Sequence, residues 1–254
     1  MCRLFGQLAD SQRSATRPLC SAENALRTQS HLHPHGWGLA WYGGDGPRVR
    51  RGVMAAHADE AFVEAGRTAR SRIVIAHVRD ASVGRVAIEN THPFVEGRWV
   101  FAHNGTVARY KRSRVVREAL LAAISAPRRR RLVGETDSER CFQLFLSRLD
   151  LRAGRGRATV DEVRTALAET VALVCAIADR GELRSTLNFL VSDGRLLCAC
   201  RHGKPLHVSA RAGGGHLFAV ASEPIGKTGW EAVPEGGFVG VDGALRVARA
   251  PLAL

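Results

Sequence analysis

A cysteine occupies the second position of the chain, where one residue can supply both a nucleophile and a base. Removal of Met1 would leave Cys2 with a thiol and a free α-amine. An α-amine has an ordinary pKa of about 7.7–8.0, so it can accept a thiol proton near neutral pH. Position alone leaves a small core residue as the alternative, because free cysteine is often buried. Other residues in the sequence must decide between a catalytic and a structural cysteine.

An Asn-Gly pair follows a strongly β-prone segment, residues 99–103. The side-chain amide of Asn104 and the backbone N–H of Gly105 would be two adjacent donors. An oxyanion hole needs two such donors, fixed where a carbonyl oxygen becomes negative. Asn-Gly is also a strong turn signal, so the alternative is a plain hairpin turn that ends the strand at residue 103.

Two charged residues could hold the two ends of an amino acid. Arg79 follows a β-prone segment at residues 72–78, and an arginine there can bind a carboxylate through two hydrogen bonds. Asp137 begins a helical pattern and could receive an amino group. The alternatives are a surface salt bridge for Arg79 and helix initiation for Asp137, since the helix dipole favours a carboxylate in the first turn.

Hydrophobic periodicity predicts the elements that must position these residues. Strands are predicted at residues 2–9, 37–42, 47–53, 72–78, 99–103, 187–191, 196–200, 238–241 and 244–248. Helices are predicted at residues 58–70, 112–124, 137–149 and 159 to about 180, the last two preceded by the capping-box pairs Thr136/Glu139 and Thr159/Glu162. Asp193-Gly194 and Asp242-Gly243 predict hairpin turns. Strands, then helices, then strands indicate two sheets covered by helices in one domain, residues 1–254.

Composition excludes several classes of protein. The chain has 254 residues, of which 45% are hydrophobic, enough to form a core and to exclude a disordered chain. No apolar run approaches the roughly 18 residues of a membrane span. Six scattered cysteines and the lack of a secretory signal predict free thiols and a cytoplasmic location.

The chain is strongly basic, with 37 Lys+Arg against 24 Asp+Glu and a formal charge of +13. The basic residues are spread along the sequence, apart from an exposed connection predicted at residues 127–131 that includes Arg128–Arg131. Spread arginine favours a compositional bias over a nucleic-acid surface, which usually concentrates its charge. A basic module that binds nucleic acid or an acidic partner remains the least favoured alternative, and such binding would weaken steeply with salt.

The motifs in order resemble those of the class II, N-terminal-nucleophile glutamine amidotransferases. They read Met-Cys-Arg, His-Gly-Trp-Gly, His-Val-Arg, Glu-Asn-Thr-His-Pro-Phe, His-Asn-Gly and Gly-Glu-Thr-Asp-Ser-Glu, and they run from Cys2 to Glu139. The chain looks closest to short members related to the bacterial YafJ proteins and to the γ-glutamyl hydrolase of ergothioneine synthesis. Each motif alone is weak evidence for the family. The resemblance rests on their occurrence in this order together with a cysteine at position two.

The resemblance implies an α+β fold, a four-layer α/β/β/α sandwich of two mainly antiparallel sheets. It implies that processed Cys2 is the nucleophile and that Asn104 and Gly105 form the oxyanion hole. It further implies roles in substrate binding, with the α-carboxylate held by Arg79, the α-amine held by Asp137 and the glutamine pocket lined by His92. Ser82, three residues after Arg79, matches a hydroxyl that meets the carboxylate in many relatives.

The implied reaction cleaves the γ-amide of glutamine through a glutamyl thioester and requires no metal or organic cofactor. The favoured interpretation is a glutaminase or a glutamine-hydrolysing subunit that supplies ammonia to a synthase partner. The alternative is a hydrolase of a larger γ-glutamyl amide. No Walker loop or dinucleotide fingerprint accompanies the motifs.

One segment departs from the family pattern. Relatives commonly have an acidic residue before Gly-Trp-Gly, whereas this chain has His31, His33 and His35. Three alternating histidines raise the alternative of a metal site. Pro34 interrupts the run and no cysteine or carboxylate lies at ligand spacing, so a structural loop is favoured.

Overall fold

The computed structural model describes residues 2–152, 157–212, 216–227 and 229–253. Thirteen strands and six α-helices lie within those residues. The strands are β1 (Arg3–Ser14), β2 (Trp37–Gly43), β3 (Gly46–Gly52), β4 (Arg70–Val78), β5 (Phe94–Glu96), β6 (Trp99–Thr106), β7 (Thr186–Ser192), β8 (Leu197–Cys200), β9 (His207–Ala212), β10 (Leu217–Ala221), β11 (Glu231–Ala232), β12 (Gly237–Val241) and β13 (Val247–Pro251). The helices are α1 (Leu26–Gln29), α2 (Glu60–Thr68), α3 (Arg114–Ala123), α4 (Ala126–Arg129), α5 (Asp137–Asp150) and α6 (Val160–Ala178).

The strands form two antiparallel sheets. The first has seven strands in the order β11-β9-β10-β1-β4-β2-β3, and the second has six in the order β13-β12-β8-β7-β6-β5. In the first sheet, β1 pairs antiparallel with both β4 and β10. The beginning of β1 therefore lies beside the ends of β4 and β10.

Three apolar clusters separate four layers. Alternation along β1 sends Leu4 and Leu8 between the two sheets and Phe5 to the outer face of the first sheet. That outer face packs on α1 and α2, with Phe62 of α2 fully buried. The outer face of the second sheet packs on α3, α5 and α6, where Phe142 contributes. The predicted α+β sandwich of two antiparallel sheets is confirmed.

Local signals explain the helix boundaries. Thr159 and Glu162 form a complete capping box, with the Thr159 hydroxyl accepting from the Glu162 N–H at 3.2 Å. Thr136 caps α5 in the same way, but the Glu139 carboxylate instead accepts from the backbone of residues 133 and 134. The start of α5 is thereby attached to the loop that precedes it. No helix within the described ranges is long and apolar enough to cross a bilayer.

One prediction about local structure was wrong. Asn104 and Gly105 do not end their strand in a turn, because β6 continues to Thr106 and pairs them with Asn188 and Leu187 of β7. Contacts with a distant strand there override a local signal. The segment at residues 127–131 joins α3 to α5 and is largely exposed, as predicted; it begins within the short helix α4, and Arg128 pairs with Glu96 and with Asp150 at 2.8 Å. All six cysteines are free, as predicted.

Candidate active site

Cys2 directly precedes β1, a central strand of the first sheet. Arg3 pairs with Val78, the last residue of β4, so Cys2 lies beside the loop that follows β4. The Asp80 N–H donates to the Cys2 sulfur at 3.3 Å, and that sulfur is 3.5 Å from the Asp80 carbonyl oxygen. Burial raises the pKa of the Cys2 thiol, and the hydrogen bond from Asp80 opposes that rise. At neutral pH the thiol is therefore protonated and needs a base to become a nucleophile.

Arg79 is buried directly after β4, with 3% of its surface exposed. Its guanidinium donates to the carbonyls of Arg85 and Val83, each at 3.0 Å, and so holds the loop after β4. Burial lowers the pKa of Arg79, while the Asp137 carboxylate, and Cys2 once it is a thiolate, act in the opposite direction. Arg79 directly precedes Asp80, whose N–H contacts the Cys2 sulfur, so Arg79 belongs to the segment beside Cys2. A guanidinium has five N–H donors, so the loop carbonyls leave donors for a ligand.

Asp137 is the first residue of α5 and is 3% exposed. Its Oδ2 accepts from the Val107 N–H at 2.8 Å, and its Oδ1 accepts from the Ser138 N–H at 2.9 Å. Val107 directly follows β6, so this carboxylate joins the start of α5 to the end of β6. Two backbone donors fix the carboxylate, and its remaining lone pairs can accept from a ligand.

Asn104 extends from the second sheet to the end of β10 in the first. Its Nδ2 donates to the Ser222 hydroxyl at 3.0 Å, and the same hydroxyl accepts from the Leu4 N–H at 3.0 Å. Asn104 is 3% exposed, and its Oδ1 has no hydrogen-bond partner within the described chain. Ser222 thus fixes the amide against β1, the strand that follows Cys2. No local pattern in the sequence marks Ser222, which is near Asn104 only after folding.

Gly105 is required by the close approach of β7. A Cβ at this position would lie 1.8 Å from the Thr186 carbonyl oxygen and 2.6 Å from Nε2 of His103. Both neighbours are part of the packed interior, so the strands would have to separate.

We expect Gly105→Ala to destabilise the fold by about 2–4 kcal/mol, in the range of severe overpacking. Thermal unfolding measures the loss. Gly44→Ala is the matched control, because a Cβ at residue 44 would meet no atom within 4 Å. An equal melting temperature for the two variants would contradict the close approach of β7.

The remaining predicted site residues are Ser82 and His92. Ser82 is exposed in the loop after β4, with its hydroxyl 3.2 Å from that of Thr106. His92 is 3% exposed, and its ring packs on His77 and Phe94 at centroid distances of 4.3 and 4.5 Å. Burial holds the pKa of His92 well below its ordinary value, so the ring is neutral. His92 therefore belongs to an enclosed, uncharged wall.

The histidines of the departing segment lie in different environments. His31 stacks on His57 at a centroid distance of 3.9 Å. His33 is 4% exposed, and burial lowers its pKa to about 4. Nδ1 of His35 accepts from the Ala81 N–H at 3.1 Å and lies 3.2 Å from Asp80. His35 thus supports the loop whose backbone contacts Cys2, a role that the sequence did not indicate.

Two cavities differ in whether a predicted site residue lines them. One of about 220 Å³ adjoins Asn104 and is lined by Arg3, Asn104, Lys204, Pro205, Ser222 and Glu223. A larger one, of about 590 Å³, contacts Phe5 and Gln7, which face away from the second sheet. We assign the smaller cavity to the candidate site because it alone of these two includes one of the predicted residues.

Comparisons with known proteins show the family to which the chain belongs. A family model for the class-II glutamine amidotransferases matches residues 1–239. The chain belongs to this family. It is therefore an enzyme of the amidohydrolase class, and the resemblance read from its motifs is confirmed.

Individual relatives support the assignment to the amidotransferases. YafJ of Escherichia coli is 33% identical over 207 residues, covering 78% of this chain and 72% of YafJ. The γ-glutamyl-hercynylcysteine sulfoxide hydrolase of Mycobacterium tuberculosis is 28% identical over 246 residues, covering 92% and 90%.

Solved structures show the same fold. A glutamine aminotransferase class-II domain protein from Silicibacter pomeroyi has a TM-score of 0.72 at 23% identity, with both chains fully covered. The glutamine phosphoribosylpyrophosphate amidotransferase of Bacillus subtilis has a TM-score of 0.67 at 15% identity, and all of this chain covers 50% of it.

Proposed function

We propose that this amidotransferase hydrolyses the γ-amide of glutamine, with Cys2 as the nucleophile. The observation that carries the proposal is a pair of contacts at the start of β1: the Asp80 N–H, next to buried Arg79, donates to the Cys2 sulfur, and Asn104 is joined through Ser222 to Leu4. We take these contacts to define one pocket, which would hold Cys2 as the nucleophile, Arg79 as the cation and Asp137 as the anion.

Free glutamine is a zwitterion, and these two charges match its head. Arg79 would bind the α-carboxylate through its free N–H groups, and Asp137 would accept hydrogen bonds from the α-ammonium. Ser82, on the loop held by Arg79, would add a hydroxyl to the carboxylate. The buried neutral ring of His92 would form part of the pocket wall. Bound in this way, glutamine would extend its side-chain amide toward Cys2.

The reaction then follows from the chemistry of a thiol and an amide. After removal of Met1, the α-amine of Cys2 takes the thiol proton, and the sulfur attacks the amide carbon. The second N–H of the Asn104 amide and the N–H of Gly105 would stabilise the resulting oxyanion. Ammonia leaves with the transferred proton, and a glutamyl thioester remains. Water attacks the thioester and releases glutamate and the free thiol.

A second candidate substrate is a larger γ-glutamyl amide. The cavity of about 220 Å³ beside Asn104 supports it, since this cavity offers space beyond the oxyanion position. Lys204 and the Arg3–Glu223 ion pair line that space and suit an amine that carries charges of its own. The two candidates share every step and differ only in whether ammonia or a substituted amine leaves.

Glutamate release from the purified protein tests both candidates. Glutamine and a series of γ-glutamyl amides are supplied separately, and kcat/KM is measured for each. We expect release from glutamine, and a large preference for substituted amides would overturn the glutaminase assignment in favour of the second candidate. Release from neither class would contradict the proposed function itself.

A further inference from the structure

A chain of hydrogen bonds behind the site links a backbone carbonyl to Asp137. Nε2 of His103 lies 3.0 Å from the carbonyl oxygen of Thr186. Nδ1 of the same ring lies 2.8 Å from the Ser138 hydroxyl. That hydroxyl is also 3.4 Å from Oδ1 of Asp137, close enough to compete for it.

The partner types fix where the protons lie. A carbonyl oxygen only accepts, so Nε2 of His103 must carry the ring proton. In a neutral ring Nδ1 then has a lone pair, and the Ser138 hydroxyl donates to it. A hydroxyl has a single proton, and the contact at 2.8 Å takes it in preference to the contact at 3.4 Å. Ser138 consequently donates to Asp137 only through its backbone N–H.

The surroundings of His103 keep the ring neutral. His103 is 1% exposed, and its ring packs against Phe189 and His92 at centroid distances of 5.1 and 6.5 Å. Burial lowers the pKa of His103, although the charge of Asp137 acts in the opposite direction. A neutral ring with its proton on Nε2 satisfies all the hydrogen-bond partners that the structure gives it.

We propose that His103 is a positioning residue, which draws the Ser138 hydroxyl away from Asp137 and leaves Oδ1 free to accept from the substrate ammonium. This inference rests on the proposed function, in which Asp137 binds that ammonium. Without the acceptor at Nδ1, the Ser138 hydroxyl would turn to Oδ1 and compete with the ligand. The effect belongs to substrate binding and leaves the chemistry at Cys2 untouched.

Matched substitutions separate this role from simple packing. His103→Gln keeps a donor near the position of Nε2 and loses the acceptor at Nδ1, whereas His103→Asn keeps an acceptor near Nδ1. The dissociation constant for glutamine is measured by calorimetry in a Cys2→Ala background, where no turnover occurs. Thermal unfolding confirms that each variant is folded.

We expect His103→Gln to weaken glutamine binding about fivefold to tenfold, the usual net effect of one hydrogen bond, and His103→Asn to bind like the parent. Adding Ser138→Ala to His103→Gln removes the competing hydroxyl and is expected to restore binding. In enzymes that retain Cys2, the same pattern is expected in KM, with kcat changed less than about twofold.

Three results would overturn the inference. They are unchanged binding in a folded His103→Gln variant, failure of Ser138→Ala to restore its binding, and a loss in His103→Asn equal to that in His103→Gln. The proposed function fails in a distinguishable way: the Cys2→Ala parent then binds neither glutamine nor a γ-glutamyl amide, and the wild-type chain releases no glutamate.

Discussion

Replacement of Cys2 by alanine is expected to lower glutamate release by at least about a thousandfold, because no other group can form the thioester. The fold should persist, since the change removes one sulfur at the start of β1. Initial rates of glutamate formation and the melting temperature measure the two effects.

Cys20→Ala is the matched control for Cys2→Ala. Cys20 is a free, partly buried thiol on the outer side of the first sheet, where it packs against the cluster around Phe62. We expect nearly wild-type rates from this variant. Substantial glutamate release by Cys2→Ala would place the nucleophile elsewhere.

The same argument predicts how activity depends on the chain terminus and on pH. A chain that retains Met1 should be inactive, because its Cys2 nitrogen is part of a peptide bond; mass spectrometry of active and inactive fractions distinguishes the two forms.

The pH dependence follows from the same mechanism. Burial raises the pKa of the Cys2 thiol, so a neutral α-amine must take its proton. The rate should therefore fall as pH decreases below about 8, where an ordinary α-amine becomes protonated.

Replacement of Asn104 by alanine is expected to lower kcat by about 10²–10³, the usual cost of one oxyanion donor. KM should change little, because the oxyanion exists only in the transition state.

Ser222→Ala tests whether the Ser222 hydroxyl positions the Asn104 amide. It leaves the Asn104 amide in place without its 3.0 Å contact, and we expect a smaller loss of about tenfold in kcat.

Gln143→Ala is the control for the loss of a buried amide. Gln143 is 3% exposed on α5, and its Nε2 donates to Glu96 at 2.6 Å, outside the candidate site. Steady-state kinetics of the variants separate the effects on kcat and KM. Equal losses of kcat in Asn104→Ala and Gln143→Ala would contradict an oxyanion role for Asn104.

Much of the fold could be predicted from sequence patterns because it depends on local forces. The apolar run at the start of β1, the capping box at Thr159 and the Asp193-Gly194 hairpin each involve neighbouring residues, and each is present in the structure. The boundaries differed by a few residues where pairing with a partner strand extends an element. The continuation of β1 to Ser14, which pairs with Arg70 of β4, is one such case.

The candidate site was only partly accessible to sequence reasoning. Cys2, Arg79, Asn104 and Asp137 are identified by their types and by the motifs around them. Ser222, His35 and the pairing of His103 with Ser138 carry no such signal, because their partners are distant in sequence. The Asn-Gly pair was misread for the same reason: its local preference is a turn, but pairing with β7 keeps it extended.

The sequence by itself determined the groups available for the proposed chemistry: a thiol at position two, a cation at residue 79, an anion at residue 137 and the adjacent donors of an Asn-Gly pair. The tertiary structure decided which of these groups lie near one another. Antiparallel pairing brings the start of β1 beside the ends of β4 and β10, and the stacking of the two sheets brings Asn104 to Ser222. Residue types follow from the chain directly, whereas distances between them depend on strand register and layer packing, which are fixed by many weak contacts acting together.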